Sequence, residues 1–269
     1  MRRLLLATAG IAVLVSLAAC NPKMQEPIAA GSASPSAEPM PTADPEPTAS
    51  PTPEPSVVVT TPPAAPKPVC KQGPHQLEVE QALSKLGGFG NISADGTQSD
   101  DDCAAIKKFQ KRFGLKPDDG VAGPATRGVA NRLLASDPAK CGAGPELTAC
   151  IDLTNQTTYL MRDGKVIYGP TVTRTGYDHP DGLGAPTPTG SYKITQRLQK
   201  NWTESFKTYL YYWQRIMGNN GFHATTSYIH DMAAGSHGCV NLLQADAIAY
   251  WEKLSIGTTV KVFGRRPGT

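Results

Sequence analysis

A proline-rich stretch at residues 21–69 is the feature that most limits how this 269-residue chain can fold. It holds fourteen of the chain's 24 prolines, and it has no aromatic residue. Such a composition buries too little apolar surface to offset the entropy lost on ordering. Proline-rich chain favours extended polyproline II, with a rise of about 3.1 Å per residue. We therefore predict a disordered linker at 20–69 and folded domains only after it.

The N-terminus has the pattern of an export signal. Three residues, Met1-Arg2-Arg3, form a basic start, and the apolar stretch from Leu4 to Leu17 is shorter than the ~20 residues of a membrane span. The next residues complete Leu17-Ala18-Ala19-Cys20, which resembles a bacterial lipobox. This resemblance implies a signal peptide at 1–19 and a lipid on Cys20 that anchors the protein to the outer face of the membrane. An ordinary signal-peptide cleavage site is the alternative.

Residues 70–136 have the periodicity of a small all-α domain with three helices. The first helix is predicted to end before Gly87-Gly88, and the second to begin with a capping box at Ser99 and to end at Gly114. Gly123-Pro124 is typical of a third helix start, because proline fits the first helical turn.

The second and third helices also resemble a known domain. Ala105-Ile106-Lys107-Lys108-Phe109-Gln110, Gly114-Leu115 and the run from Asp119 to Thr126 resemble the three-helix peptidoglycan-binding domain. The resemblance implies binding to the glycan wall, and a spacer that binds nothing is the alternative. For a separate binding module, we expect its removal to leave turnover of a small soluble stem peptide nearly unchanged.

Residues 148–263 show the alternation of β-structure. Apolar residues recur in short runs on both sides of Asp163-Gly164, which predicts a hairpin turn. One helix is expected between Ala245 and Leu254, and a final strand at Thr259–Phe263. The predicted architecture is therefore a small all-α domain followed by a mainly β domain with one late helix.

Residue types capable of nucleophilic catalysis occur together in the segment Ser236-His237-Gly238-Cys239-Val240-Asn241, and His223 lies upstream of it. The thiolate is the nucleophilic form of cysteine, and free cysteine titrates near pH ~8.5. A histidine can remove the thiol proton, and a glycine lets a substrate carbonyl approach backbone N–H groups. This combination indicates covalent acyl transfer.

The same residues resemble the signature of the YkuD-type L,D-transpeptidases, and Thr187-Pro188-Thr189-Gly190-Ser191-Tyr192 resembles a second segment of that family. The resemblance implies an enzyme that crosslinks peptidoglycan stem peptides through a thioester on Cys239, with His223 as general base. It implies no cofactor and no metal ion.

The resemblance also implies roles around this pair. We expect the backbone N–H groups of Gly238 and Cys239 to form an oxyanion hole, and the carbonyl of Ala224 to orient the base. Supporting roles are expected for three further residues of the signature: Ser236, His237 and Asn241.

The segment from Tyr209 to Ile216 resembles the part of that family that covers the pocket. Tyr212 and Arg215 are therefore candidate substrate contacts. An ordinary aromatic strand is the alternative reading of this segment.

Alternatives remain open for the base and the reaction. Only twelve residues separate His223 from Ser236, and His230 lies between them as a second candidate base. A zinc site is a further alternative, but its ligand spacing is unsupported; its ligands would be His223, His230, His237 and Cys239. An L,D-carboxypeptidase with the same Cys and His, or a non-catalytic wall-binding lipoprotein, are the rival functions.

The six cysteines fit an exported protein. With one assigned to lipid and one to catalysis, an even number remains for an oxidising compartment. Four cysteines allow three pairings, and we favour Cys70–Cys103 with Cys141–Cys150. The net charge of +3 is small, and no basic patch interleaved with aromatics is present, so we expect no nucleic-acid partner.

Overall fold

The computed structural model describes residues 70–180, 182, 184–225 and 228–269. The predictions for the signal peptide, the lipidated cysteine and the linker concern residues outside these ranges. Within them, no helix is both long enough and apolar enough to span a bilayer.

Three helices form the N-terminal bundle, as expected: α1 (Gln76–Leu86), α2 (Asp100–Arg112) and α3 (Pro124–Ala135). Ser99 starts α2 with a capping box, because its Oγ accepts from the backbone N–H of Asp102 at 3.1 Å and the Asp102 side chain accepts in return. A disulfide, Cys70–Cys103, ties the start of this helical domain to α2.

The rest of the described chain is a twisted sheet with one helix, again as expected. Its strands are β1 (Thr148–Asp152), β2 (Thr157–Arg162), β3 (Lys165–Arg174), β4 (Gly190–Lys193), β5 (Gln196–Thr203), β6 (Thr208–Met217), β7 (Asn220–Ala224), β8 (Val240–Leu242) and β9 (Thr259–Phe263). They are ordered β4-β9-β1-β2-β3-β8-β7-β6-β5, and α4 (Gln244–Lys253) follows β8. A second disulfide, Cys141–Cys150, joins the short 3-10 helix Pro138–Cys141 to β1.

The pair β7 and β8 determines where reactive residues meet. These strands run parallel, and His223 of β7 is the register partner of Asn241 in β8. Cys239 directly precedes β8, two residues before Asn241, so the histidine and the cysteine lie on adjacent strands two residues apart in register. Behind them, Phe222, Leu242 and Tyr250 of α4 are fully buried in the main core. This core provides a rigid support for the reactive edge.

The helical domain and the sheet domain share a second hydrophobic core. It contains Phe109 and Leu133 of the helices together with Val172 of β3 and Ile229 of the loop after β7. Removal of the helices would therefore expose apolar side chains of the sheet domain.

Candidate active site

A cleft of about 440 Å³ lies over the ends of β7 and β8. Cys239 and His223 line it together, next to aromatic and polar side chains of β6, β8 and nearby loops. These lining side chains include Phe206, Tyr209, Tyr211, Tyr228, His237 and Asn241. The structure thus brings the two principal predicted residues into one concave site, which is the usual setting of a catalytic pair.

Hydrogen bonding fixes the tautomer of His223. Its Nδ1 lies 2.8 Å from the carbonyl oxygen of Ala224. Because a carbonyl only accepts, Nδ1 carries the hydrogen and Nε2 keeps a free lone pair. Burial lowers the pKa of His223 below its usual 6.5, although the Ala224 carbonyl opposes this shift. The ring is therefore neutral near pH 7 and able to accept a proton at Nε2.

Cys239 rests as a thiol in this environment. Burial raises the pKa of its thiol to about 11, and a backbone contact with Gly221 only partly opposes the effect. Its Sγ lies 4.0 Å from the Oδ1 of Asn220. A neutral thiol beside a neutral imidazole favours proton removal during attack over a preformed ion pair.

The backbone around Cys239 is held in a tight turn. Ser236 Oγ donates to the Cys239 carbonyl at 2.5 Å and accepts from the Gly238 N–H at 3.2 Å. Thr187 Oγ1 donates to the Gly238 carbonyl at 2.9 Å, so the predicted Thr-Pro segment braces the reactive turn. Gly238 has φ +117°, and a Cβ there would lie 2.6 Å from the Asn220 amide. Only glycine fits this position.

Of the two expected oxyanion donors, the Gly238 N–H already has a partner in Ser236 Oγ. It must exchange this hydroxyl for a substrate oxygen to act in an oxyanion hole. The 3.2 Å distance of this contact is at the long end of the usual range for an N–H···O hydrogen bond.

His237 forms part of the cleft wall. Its ring stacks on His179 with centroids 3.7 Å apart, and Phe206 packs against it at 4.6 Å. His179 Nε2 donates to the Gly235 carbonyl at 3.0 Å, which ties the loop after β3 to the reactive segment. Sequence reasoning missed His179 and Phe206, since neither lies in a motif and both contacts are distant along the chain.

Asn241 lines the cleft and is held by hydrogen bonds. Its Nδ2 donates to the hydroxyl of Tyr228, and its carbonyl accepts from Thr173 Oγ1 at 2.7 Å. Tyr228 lines the cleft and was also missed by sequence reasoning.

The structure does not bring Tyr212 and Arg215 into the cleft. Tyr212 has φ +58°, and its ring lies against Trp251 and the main core. Arg215 pairs in register with Gly221 within the sheet. Tyr209 and Tyr211 line the cleft in their place. The sequence thus indicated the correct segment but not which of its side chains face the cleft.

The second candidate base, His230, contacts the helical domain. Its Nε2 donates to the carbonyl of Phe113 in the helical domain, at 2.7 Å. It does not line the cleft, so the contacts support His223 as the partner of the thiol. Among the described residues, no group of three or more His, Cys, Asp or Glu is arranged to hold a metal ion.

Two family models match parts of this chain. A family model described as the L,D-transpeptidase catalytic domain of YkuD matches residues 146–262, and one for a putative peptidoglycan-binding domain matches 72–129. The chain is 46% identical to an L,D-transpeptidase (Yku) from Stackebrandtia nassauensis, covering 76% of this chain and 97% of that one with a TM-score of 0.70.

Two more distant structures also match. An L,D-transpeptidase from Xylanimonas cellulosilytica is 23% identical, with 74% and 100% of the two chains covered and a TM-score of 0.43. One from Mycobacterium smegmatis is 21% identical, with 45% and 60% covered and a TM-score of 0.40. The search of curated protein sequences finds no match.

Proposed function

Because this chain belongs to the L,D-transpeptidase family, with peptidoglycan as its substrate, we propose that it crosslinks stem peptides through a thioester on Cys239. The observation that carries the proposal is that Cys239 and His223 line one cleft, with the Nδ1 of His223 bonded to the Ala224 carbonyl and its Nε2 left as the proton acceptor.

In the first step, Nε2 of His223 removes the thiol proton as Sγ of Cys239 attacks an amide carbonyl. The family resemblance makes this the bond between a diaminopimelate and the terminal D-Ala of a stem tetrapeptide. The C–N bond breaks, the imidazolium returns its proton to the leaving amine, and D-Ala departs. The remaining acyl group is held as a thioester on Sγ.

In the second step, the side-chain amine of a diaminopimelate from another stem attacks the thioester. His223 accepts the amine proton and returns it to the Cys239 sulfur as the C–S bond breaks. One amide has been exchanged for another, so the reaction needs no ATP. Water in place of the amine would give an L,D-carboxypeptidase.

During both steps, negative charge develops on the substrate carbonyl oxygen. We assign its stabilisation to the backbone N–H groups of Gly238 and Cys239. Ser236 Oγ holds the turn that aims them, and the stacked His237 closes one wall against water. Tyr209 and Tyr211 provide the aromatic wall on the β6 side.

We further propose, from the sequence, that Cys20 carries a lipid and that the linker at 20–69 spans the distance to the wall. At about 3.1 Å per residue, fifty extended residues reach ~150 Å. The mass of the mature N-terminus tests this proposal. A lipidated Cys20 supports anchoring, and an unmodified N-terminus at another residue contradicts it.

Product analysis tests the reaction. Purified protein is incubated with stem tetrapeptides, and the products are separated by mass. Peptide dimers with release of D-Ala support crosslinking, and tripeptides without dimers support the carboxypeptidase. Unchanged tetrapeptide would indicate a non-catalytic wall-binding protein.

A further inference from the structure

Residues 228–235, called the latch loop below, connect the cleft with the reactive motif. The loop begins at Tyr228, which lines the cleft and accepts a hydrogen bond from Asn241. It ends at Gly235, directly before Ser236, whose N–H donates to the Thr175 carbonyl at 3.0 Å. Its placement therefore affects both a wall of the cleft and the turn that carries Cys239.

One residue of the latch loop belongs to the core of the helical domain. Ile229 is 1% exposed and packs in the cluster that contains Phe109, Phe113 and Leu133. A loop residue this deeply buried fixes its backbone neighbours, because the surrounding core resists displacement. The position of Tyr228 is thus set partly by helices that lie outside the sheet domain.

The next residue adds a directed contact. His230 donates from Nε2 to the carbonyl of Phe113, the C-cap of α2. The last carbonyls of a helix have no partner within the helix, so this hydrogen bond satisfies one of them. The Nδ1 of His230 is buried without a hydrogen-bond partner in the described residues.

The opposite side of the loop is held by arginines of the sheet domain. Arg174 donates to the Ile229 carbonyl at 2.7 Å. Arg266 donates to the carbonyls of Met232 and Ala234 at 3.3 and 2.6 Å. The latch loop is thus held by the helical domain through Ile229 and His230, and by hydrogen bonds from Arg174 and Arg266 of the sheet domain.

We propose that the helical domain is a structural part of the catalytic site, and that Ile229 and His230 are positioning residues that transmit its support to Tyr228 and Cys239. The proposal rests on the proposed acyl transfer at that site.

The test uses the full chain with four substitutions in the latch and one control. His230→Ala removes the donor to Phe113, and His230→Gln retains an N–H donor. Ile229→Ala opens the shared core, and Ile229→Val removes only one methylene. Lys111→Ala is the control, since it changes an exposed residue in the same last turn of α2.

Two readouts are taken well below each variant's melting temperature: kcat and KM for a soluble stem tetrapeptide, and the alkylation rate of Cys239 by iodoacetamide. We expect His230→Ala and Ile229→Ala to lower kcat about tenfold. His230→Gln and Lys111→Ala should stay close to the parent, and Ile229→Val should show a loss of kcat that is smaller than that of Ile229→Ala. Alkylation should change in the two disruptive variants as the turn loosens.

Unchanged kcat and alkylation in folded His230→Ala and Ile229→Ala would overturn the latch and leave these residues a purely structural role. If the disruptive variants fail to fold, a graded loss from Lys111→Ala to Ile229→Val still supports the latch, and no loss in Ile229→Val contradicts it. If the parent protein shows no turnover, but the alkylation rate of Cys239 still changes in His230→Ala and Ile229→Ala, the proposed function is refuted and the latch is not.

Discussion

Arg112 of α2 donates two hydrogen bonds, at 2.7 and 3.3 Å, to the fully buried carboxylate of Asp246 in the first turn of α4. Tyr168 and Thr171 each donate to the same carboxylate at 2.6 Å. The helix that follows the nucleophile strand is thus fastened to the helical domain by a saturated charge network.

Replacement of this arginine should destabilise the protein. Arg112→Ala leaves Asp246 with neutral donors only, and we expect a loss of roughly 1.5–3 kcal/mol, the range for hydrogen bonds to charged groups. Urea unfolding measures the change. The control is Arg127→Ala, whose partner Glu78 is 53% exposed and which should cost less than about 1 kcal/mol. Equal losses for both would show that the network across the domains adds nothing.

The general base should be His223. Removal of its Nε2 acceptor in His223→Ala is expected to slow acylation by ~10²–10⁴-fold, the usual contribution of a general base. His230→Ala should have a much smaller effect, because that ring contacts Phe113 and not the cleft. Rapid-quench mass spectrometry of the acyl-enzyme compares them. A greater loss from His230→Ala would refute the assignment.

The alkylation rate of Cys239 should keep rising with pH well above the pH at which a free cysteine titrates. Because burial raises its pKa to about 11, the thiolate fraction grows throughout pH 7–10. Alkylation by iodoacetamide, followed by intact mass, should therefore keep rising across this range. A plateau at or below pH 7 would instead reveal a preformed thiolate–imidazolium pair.

Acid should weaken the fold. The pKa values of His223 and His230 are lowered by burial, and Arg132 and Arg174 lower that of His230 further. Below pH 6.5 the unfolded chain therefore binds more protons than the native protein, and stability falls as pH falls. Urea midpoints at pH 7.5, 6.5 and 5.5 measure this loss.

His230→Gln provides the matched comparison, because it keeps a donor but cannot titrate. Its stability should depend less on pH than that of the parent. A parent whose urea midpoint stays constant or rises from pH 7.5 to 5.5 would contradict the assigned pKa directions.

Local signals predicted much of the fold. Ser99 and Gly123-Pro124 marked helix starts that the structure contains, and Thr259–Phe263 was predicted as the last strand with the bounds that it has. These features depend on capping, turn chemistry and periodicity, which act within a few residues and so leave a readable pattern.

The remainder depends on contacts that leave no local pattern. Ile229 in the helical core and the stack of His179 on His237 join segments far apart in the chain. Tyr212 has a positive φ that aromatic residues rarely adopt, so its orientation could not be inferred from strand alternation. The signature around Cys239 could be recognised in the sequence because the chemistry requires those residue types together. The packing around it could not be predicted from the sequence.

The most direct test of the central claim is intact-protein mass spectrometry of the parent and Cys239→Ala after brief mixing with a stem tetrapeptide. The account predicts an adduct on the parent, equal in mass to the tripeptidyl acyl group and mapped to Cys239. The folded Cys239→Ala variant should show neither adduct nor dimer. Full crosslinking by Cys239→Ala, or an adduct at another residue, would contradict the account.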